Sequence, residues 1–171
     1  VDVIDTAVDR LADSWSLLSA PGEPVGLSPT ALALDETRHR LYVACAQKNS
    51  LDVLDSRTGA VLGSLPTAWY PTGVALRPAD GGLLVTAGKG VGSGPKPQAG
   101  DINRFFKGSL SLQPPPDDVG LAAGVQQVHD NNTYPLRFFP QRCLGRAFPV
   151  PRALGEPSPI KHVIFVLREN K

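Results

Sequence analysis

The chain has 171 residues, 42% of them hydrophobic, and a formal net charge of +1. This is enough for one ordinary domain with a buried core. The charge is near zero and Lys and Arg are scattered along the chain, which excludes a protein that relies on a large basic surface to bind nucleic acid or an anionic membrane. No run of about 18 apolar residues occurs, so we expect no segment to span a membrane.

The cysteines and histidines are too few and too isolated to form a sequence-evident metal or disulfide framework. Cys45 and Cys143 are far apart, and neither has a neighbouring ligand at a metal-binding spacing. His39, His129 and His162 are equally isolated. A zinc finger and a disulfide scaffold are therefore excluded, while a single bridge between the two cysteines stays open.

The first half of the chain contains an internal repeat. VDVID at positions 1–5 recurs as LDVLD at positions 51–55, and PTALALDETRHRLYVAC from Pro29 recurs as PTGVALRPADGGLLVTAG from Pro71. The second offset is 42 residues, which is within the ~40–45 typical of a four-stranded propeller blade. The first offset is longer, which indicates an insertion around SAPGEPVGLS.

Each repeat is predicted to be a meander of short strands. Alternating residues, separated by turns every eight to ten positions, indicate strands over residues 30–34, 40–45, 51–55 and 61–65, then over 72–76, 83–87 and 108–112. With 17 Gly and 17 Pro, the composition also favours a turn-rich, mainly β fold. Trp69 and Tyr70 precede the second unit. We expect them to pack between repeats, with stacking on a ligand as the alternative.

A helix replaces the fourth strand of the second unit in this prediction. Asp117 or Asp118 can cap it, and Asn131–Asn132 ends it. Leu121, Ala122, Val125 and Val128 share a face at helical spacing. From 133 to 158 the chain is proline-rich without a clear period, and its large apolar residues predict an ordered linker rather than a flexible one.

The loop after residue 87, AGKGVGSGPKP, is a candidate anion or substrate site. It fails the strict phosphate-loop and dinucleotide patterns, because no Gly lies five residues before Gly88 and prolines follow instead of a helix. Two interpretations stay open. One is a bulged connection between strands, and the other is a functional loop in which Lys89 and unpaired backbone N–H groups meet an anion. The candidate residues are Gly88, Lys89, Gly90, Gly92, Ser93 and Gly94.

The last stretch, IKHVIFVLRENK, differs in pattern from the repeats. Val163 to Leu167 is a continuous apolar run, which is typical of a strand buried on both faces of a parallel sheet. Ligands of such sheets bind beyond the carboxyl ends of the strands, and Glu169 and Asn170 occupy that position. Their oxygens suit a divalent metal, whereas the alternative interpretation is a solvated charged turn.

These motifs resemble those of two known families. IKHVIFVLRENK resembles the opening strand of the phosphoesterase branch of the alkaline phosphatase superfamily, with Lys171 where Arg is common. PTGVAL, GKGVGSGPKP and KGSLSLQPPPD resemble the last blades of bacterial proteins that fuse a YVTN-type β-propeller to such a domain. The resemblance implies a metal-dependent phosphoesterase in which Glu169 and Asn170 help hold divalent metal ions, while the nucleophile and the other ligands lie outside this chain.

The resemblance also implies a domain order. Residues 1–132 would be the C-terminal two to three blades of a propeller, residues 133–158 an ordered linker, and residues 159–171 the first strand of a truncated α/β phosphoesterase domain. The implied substrate is a small-molecule phosphate ester, and the implied location is periplasmic or extracellular. No catalytic residue is expected within the chain itself. The competing hypothesis is a propeller that acts as a binding or scaffold module for a partner or a cell-surface ligand.

Overall fold

The computed structural model describes residues 1–18, 26–91, 106–132 and 158–167. The chain divides into two compact units, Val1–Asn132 and Thr133–Lys171. The described part of the first unit is mainly β and has one helix. Its elements in chain order are β1 Asp2–Asp5, β2 Arg10–Ser14, β3 Pro29–Asp35, β4 Arg40–Cys45, β5 Ser50–Asp55, β6 Val61–Pro66, β7 Pro71–Leu76, β8 Leu83–Ala87, β9 Ser109–Gln113 and α1 Asp118–Asn131.

The strands form three antiparallel sheets in which chain neighbours are also sheet neighbours. Sheet A is β1-β2, sheet B is β3-β4-β5-β6 and sheet C is β7-β8-β9. Within the described ranges none of these sheets closes on itself. The predicted strands of both repeats are thereby confirmed, and so is the mainly β class with one helix.

The 42-residue repeat of the sequence is also a repeat of individual contacts. Thr30 Oγ1 lies 3.2 Å from the carbonyl oxygen of Ala44, and Thr72 Oγ1 lies 3.4 Å from that of Thr86. The pairing of β3 with β4 shifts register between Pro29 and Ala31, and the pairing of β7 with β8 shifts at the equivalent place. β3 and β4 are therefore structural equivalents of β7 and β8.

Sheet A repeats the outer half of sheet B at an offset of 50 residues. Ser14 Oγ donates to Asp2 Oδ1 over 2.7 Å, and Ser64 Oγ donates to Asp52 Oδ1 over 2.8 Å. The pairings β1–β2 and β5–β6 also shift register at equivalent places. VDVID and LDVLD therefore occupy the third position of successive units, and the extra eight residues lie in the β2–β3 connection. Of the predicted insertion SAPGEPVGLS, positions 19–25 lie outside the described residues.

Sheet B forms the centre of the packing because both of its faces bear apolar clusters. One face packs on sheet C and α1 through Tyr42, Ala44, Leu51, Val53, Leu83, Val85 and Leu121. The other face packs against the segments that flank sheet A through Leu17, Leu27, Val43, Cys45 and Leu54, with Val1, Trp15, Leu41 and Val61 at its margin. Such two-sided burial stabilises β4 and β5 by roughly 25 cal/mol per Å² of apolar surface removed from water.

Helix α1 begins and ends where the sequence predicted. The Asp117 carboxylate accepts the Gly120 N–H over 2.7 Å, which identifies Asp117 rather than Asp118 as the N-cap, and Asn132 follows the last turn as the C-cap. The helix packs along β6. Leu121 and Val128 are buried as predicted, but Ala122 is exposed and Gly124 takes its place in the interface. The absence of a side chain at Gly124 brings the helix close to the strand.

The terminal apolar run does not form the predicted strand. Over residues 158–167 no strand is present, and the five apolar side chains from Val163 to Leu167 are each at least 80% exposed. The physical reason is that a strand buried on both faces needs hydrogen-bonded neighbours on either side. The described residues provide no such neighbours for this segment. Its identity as the start of a second domain stays a prediction.

None of the helices in the described ranges combines the length and the hydropathy needed to cross a membrane.

Each repeat has an ion pair in the turn after its first strand, and the acidic and basic positions are exchanged between the two repeats. Asp35 pairs with Arg38 after β3, and Arg77 pairs with Asp80 after β7. The Arg77 side chain and, secondarily, the Gly82 N–H lower the pKa of Asp80 from 3.8 to about 2. This pair therefore contributes its full stabilisation above pH 3.8, and the contribution is lost as the pH falls towards 2.

We expect Arg77→Ala to raise the pKa of Asp80 towards 3.8, with the Gly82 N–H still lowering it in part. Carboxyl chemical shifts followed by NMR during an acid titration measure this value directly. Arg57→Ala is the matched control because Arg57 pairs with Asp55 in another turn. The conclusion that Arg77 lowers the pKa of Asp80 would be contradicted if Arg77→Ala left this pKa unchanged. It would also be contradicted if Arg57→Ala raised the pKa of Asp80 equally.

Candidate functional site

The predicted Gly-rich loop begins at the end of β8, where its backbone is held against the segment before β7. The Gly88 N–H donates to the Tyr70 carbonyl over 3.0 Å, and the Lys89 N–H donates to the Trp69 carbonyl over 3.1 Å. In return the Trp69 N–H donates to the Gly90 carbonyl over 2.7 Å. The interpretation of a functional loop with unpaired N–H groups is therefore wrong at Gly88 and Lys89, because these two amides are not available to an anion.

The Lys89 side chain lies over two aromatic rings. Its Nζ is 5.5 Å from the centre of the Tyr70 ring and 5.6 Å from the centre of the Phe106 ring, distances at which a cation is attracted by the ring face. Lys89 itself is exposed. The ammonium group is thus oriented by two rings while it remains accessible to solvent.

Trp69 and Tyr70 are not enclosed between repeats, contrary to the expectation from the sequence. They are 49% and 42% exposed. Tyr70 has a positive φ of 63°, and its N–H donates to Asn49 Oδ1 over 3.0 Å. A bulky residue in this conformation is strained and persists only where its surroundings fix it. The structure therefore brings Trp69, Tyr70 and Phe106 together with Lys89, and we call these four residues the aromatic cluster.

Gly90 lies next to the aromatic cluster, and its backbone approaches that of Lys107. Its φ is +57°, and a Cβ at this position would meet the carbonyl oxygen of Lys107. Both facts require glycine here. Of the other candidate residues in this loop, Gly92, Ser93 and Gly94 lie outside the described residues.

The predicted metal ligands Glu169 and Asn170 also lie outside the described residues. Across residues 1–18, 26–91, 106–132 and 158–167, no group of three or more His, Cys, Asp and Glu side chains is arranged to hold a metal ion. The proposed ligand set therefore rests on the sequence motif.

Sequence reasoning missed a buried polar cluster around Asp52. The Asp52 carboxylate accepts from Lys48 Nζ over 3.1 Å, from Ser50 Oγ and Ser64 Oγ over 2.8 Å each, and contacts Cys45 Sγ at 3.6 Å. The Lys48 side chain is only 5% exposed and that of Asp52 is fully buried. An Asp in the middle of an otherwise apolar strand, four residues after a Lys, was the available signal.

Burial makes Cys45 chemically inert in this cluster. Removal from solvent, as the main cause, and the neighbouring Asp52 carboxylate, as the second, raise the pKa of its thiol to about 12. The thiol is thus protonated at neutral pH and is neither a nucleophile nor a metal ligand. Cys45 is a free, buried cysteine, and Cys143, with which the sequence left a bridge open, lies outside the described residues.

A separate groove of about 430 Å³ lies between the end of β6, the end of β9 and the start of α1. It is lined by Leu65, Pro66, Gln113, Pro114, Pro115, Pro116, Asp117 and Gly120. Its one carboxylate, Asp117, already caps the helix. The groove offers apolar contact but no group suited to acid–base or nucleophilic chemistry.

Comparisons with known proteins do not identify a family. No protein-family model and no curated protein matches the chain. Fourteen chains of solved structures match, among them Kuenenia stuttgartiensis hydrazine synthase, at a TM-score of 0.43 and 18% sequence identity. That match covers 51% of this chain and 22% of the other, so the chain spans about a fifth of the length of the synthase chain. A TM-score this low carries no argument about fold or activity.

Proposed function

We propose that the chain is part of a metal-dependent phosphoric ester hydrolase that has a β-propeller before its catalytic domain. The observation that carries the proposal is the motif IKHVIFVLRENK, which resembles the first strand and first metal ligands of the alkaline-phosphatase-like phosphoesterases. The repeated antiparallel units at an offset of 42 residues support the propeller part, because stacked four-stranded meanders of this period are the building unit of propellers. Sheets A, B and C would then be successive blades of an exported protein.

The donor chemistry of the motif suits a divalent metal. Glu169 offers a carboxylate and Asn170 an amide oxygen, which are hard ligands. Two such residues cannot complete a coordination shell, so the remaining ligands and the Ser or Thr nucleophile would come from residues outside this chain. When bound, the metal would polarise the phosphoryl oxygens of the ester and favour attack. The role of the chain's own residues would be to hold the metal through Glu169 and Asn170.

The test is to assay the 171-residue chain and the longer gene product against a generic phosphomonoester and a phosphodiester. We expect no turnover by the chain alone and metal-dependent turnover by the longer product. Glu169→Gln should lower the latter by at least about tenfold, since even outer-shell changes at metal sites cost that much. Glu36→Gln, in an exposed turn, is the matched control. Metal-dependent turnover by the chain alone, or a metal-loaded longer product that hydrolyses neither ester, would contradict the proposal.

A second candidate function, a binding module, is favoured by the aromatic cluster. Half-exposed Trp69 and Tyr70 and the oriented Lys89 ammonium form a surface on which an anionic ligand could bind. We expect inorganic phosphate to shift the amide resonances of Trp69, Tyr70 and Lys89, and Lys89→Met to abolish the shifts. Lys107→Met is the matched control, because Lys107 is an exposed lysine of the same loop region. If Lys89→Met and Lys107→Met reduced the phosphate-induced shifts equally, this candidate function would be contradicted.

A further inference from the structure

Within the described ranges sheet A has two strands, and the structural repeat indicates which two strand positions of this unit are unfilled there. β1 and β2 are equivalent to β5 and β6. In sheet B the edge of β5 that faces away from β6 pairs with β4, and β4 pairs with β3. In the described ranges nothing pairs with the corresponding edge of β1. The unfilled positions are therefore those of a β3–β4-type hairpin.

An apolar face on sheet B marks the same unfilled place independently. In sheet C, Val74 and Leu76 of β7 pack against the same buried cluster as Ala31 and Ala33 of sheet B, and β7 contacts β3. Their repeat equivalents in β3 are Leu32 and Leu34, which are 53% and 50% exposed. These two leucines are on the face of sheet B that already packs, through Val43 and Leu54, against the segments flanking sheet A. The uncovered patch is thus continuous with an existing interface.

A third observation concerns charge. Asp2 and Asp52 are equivalent, and each accepts a hydrogen bond from the equivalent serine. Asp52 has Lys48 as an additional partner and is fully buried, whereas Asp2 is exposed. Lys48 comes from the turn that follows β4. A β4-type hairpin beside β1 would bring an equivalent lysine to Asp2.

We propose that the edge of β1 and the leucine pair Leu32 and Leu34 together form a docking site for one β-hairpin of β3–β4 type, supplied by polypeptide outside these 171 residues. The hairpin pairs antiparallel with β1, places small side chains over the two leucines, and offers a lysine to Asp2. Strand addition at an exposed sheet edge provides the backbone hydrogen bonds, and the leucine pair provides the specificity. The inference rests on the structural repeat and is independent of the hydrolase proposal.

The repeat itself gives the design of the test. A copy of residues 29–50 placed directly before Val1 continues in the native register, because residue 51 is equivalent to residue 1. The comparison protein has the same 22 residues in scrambled order. We expect the amides of β1 to exchange hydrogen at least about tenfold more slowly in the matched fusion than in the scrambled one. Equal exchange in the two fusions would overturn the proposal.

Substitutions locate the contact. Leu32→Lys with Leu34→Lys should remove most of the added protection. Leu110→Lys with Leu112→Lys is the matched control, because these leucines are similarly exposed on β9 and should leave the protection unchanged. Lysine→glutamine at the copy of Lys48 should reduce the protection of the β1 amides in part. The same change should have no effect in a fusion that also contains Asp2→Asn. Equal effects of the two double-lysine variants contradict the site.

A second copy of the chain is the competing occupant. Sedimentation of the unfused 171-residue chain distinguishes the two occupants. A monomer at micromolar concentration supports the hairpin proposal, whereas a dimer that Leu32→Lys with Leu34→Lys dissociates overturns it. Absence of phosphoesterase activity in the longer gene product would contradict only the proposed function. The two proposals can therefore be overturned independently of each other.

Discussion

Replacing Asp52 with alanine should destabilise the first unit by about 3–5 kcal/mol, the range for removal of one partner from a buried ion pair. The substitution leaves the Lys48 ammonium group, whose side chain is only 5% exposed, without its counter-charge. It also leaves the hydroxyl groups of Ser50 and Ser64 without their shared acceptor. The free energy of unfolding, measured by urea denaturation, tests the prediction.

Asp2→Ala is the control that the repeat provides for this experiment. Asp2 accepts the equivalent serine hydrogen bond but is exposed, so we expect a change within about 0.5 kcal/mol. The double substitution Lys48→Met with Asp52→Leu should recover most of the loss, because apolar residues of similar size can replace a buried pair. Equal losses for Asp52→Ala and Asp2→Ala would show that burial of the pair is not what stabilises the unit.

The sequence predicted the strands and the helix well because each of them has a local signal. Alternating residues, turns at Gly59 and Gly81 with positive φ, and the Asp117 cap act within a few residues of the chain. The repeat then connected distant segments without any knowledge of packing. These signals give the order of the elements but not the faces that each element buries.

The buried Asp52 cluster was not predicted because local alternation cannot show that a strand has neighbours on both faces. β5 lies inside sheet B and is covered by apolar clusters on either side, so that Asp52 is buried together with the leucines and valine around it. The lysine that neutralises it comes from a turn. A propensity argument treats a turn lysine as solvated, and only the three-dimensional arrangement places it inside.

The terminal segment shows the opposite error. Its apolar run predicts a buried strand, but a strand forms only when partners supply hydrogen bonds. In the described residues 158–167 those partners are absent and the side chains are exposed. Similarly, one of the two interpretations of the Gly-rich loop required free amides, whereas Gly88 and Lys89 use theirs on Tyr70 and Trp69. The aromatic cluster depends on Phe106 from the far side of the loop, which no local pattern indicates.

Gly124→Ala should destabilise the first unit, because overpacking at this position costs about 1–3 kcal/mol. A Cβ on Gly124 would collide with the carbonyl oxygen of Ser64 and lie 3.0 Å from its carbonyl carbon. Neither atom can move aside easily, because both belong to the backbone of β6. Alanine favours a helix over glycine by about 1 kcal/mol, so a net loss would mean that the steric cost exceeds this gain. Thermal unfolding followed by circular dichroism measures the effect.

Gly120→Ala separates helix propensity from contact with β6, because it is the same substitution in the same helix. At Gly120 the nearest atom to an added Cβ is Asp117 Oδ1 at 3.0 Å, on an exposed side chain that can shift. We therefore expect Gly120→Ala to be neutral or to stabilise by up to about 1 kcal/mol. If both substitutions stabilise the unit, α1 is free to move away from β6. Opposite signs would mean that the helix must lie against this strand, so that its buried leucine, Leu121, reaches the core shared with sheet C.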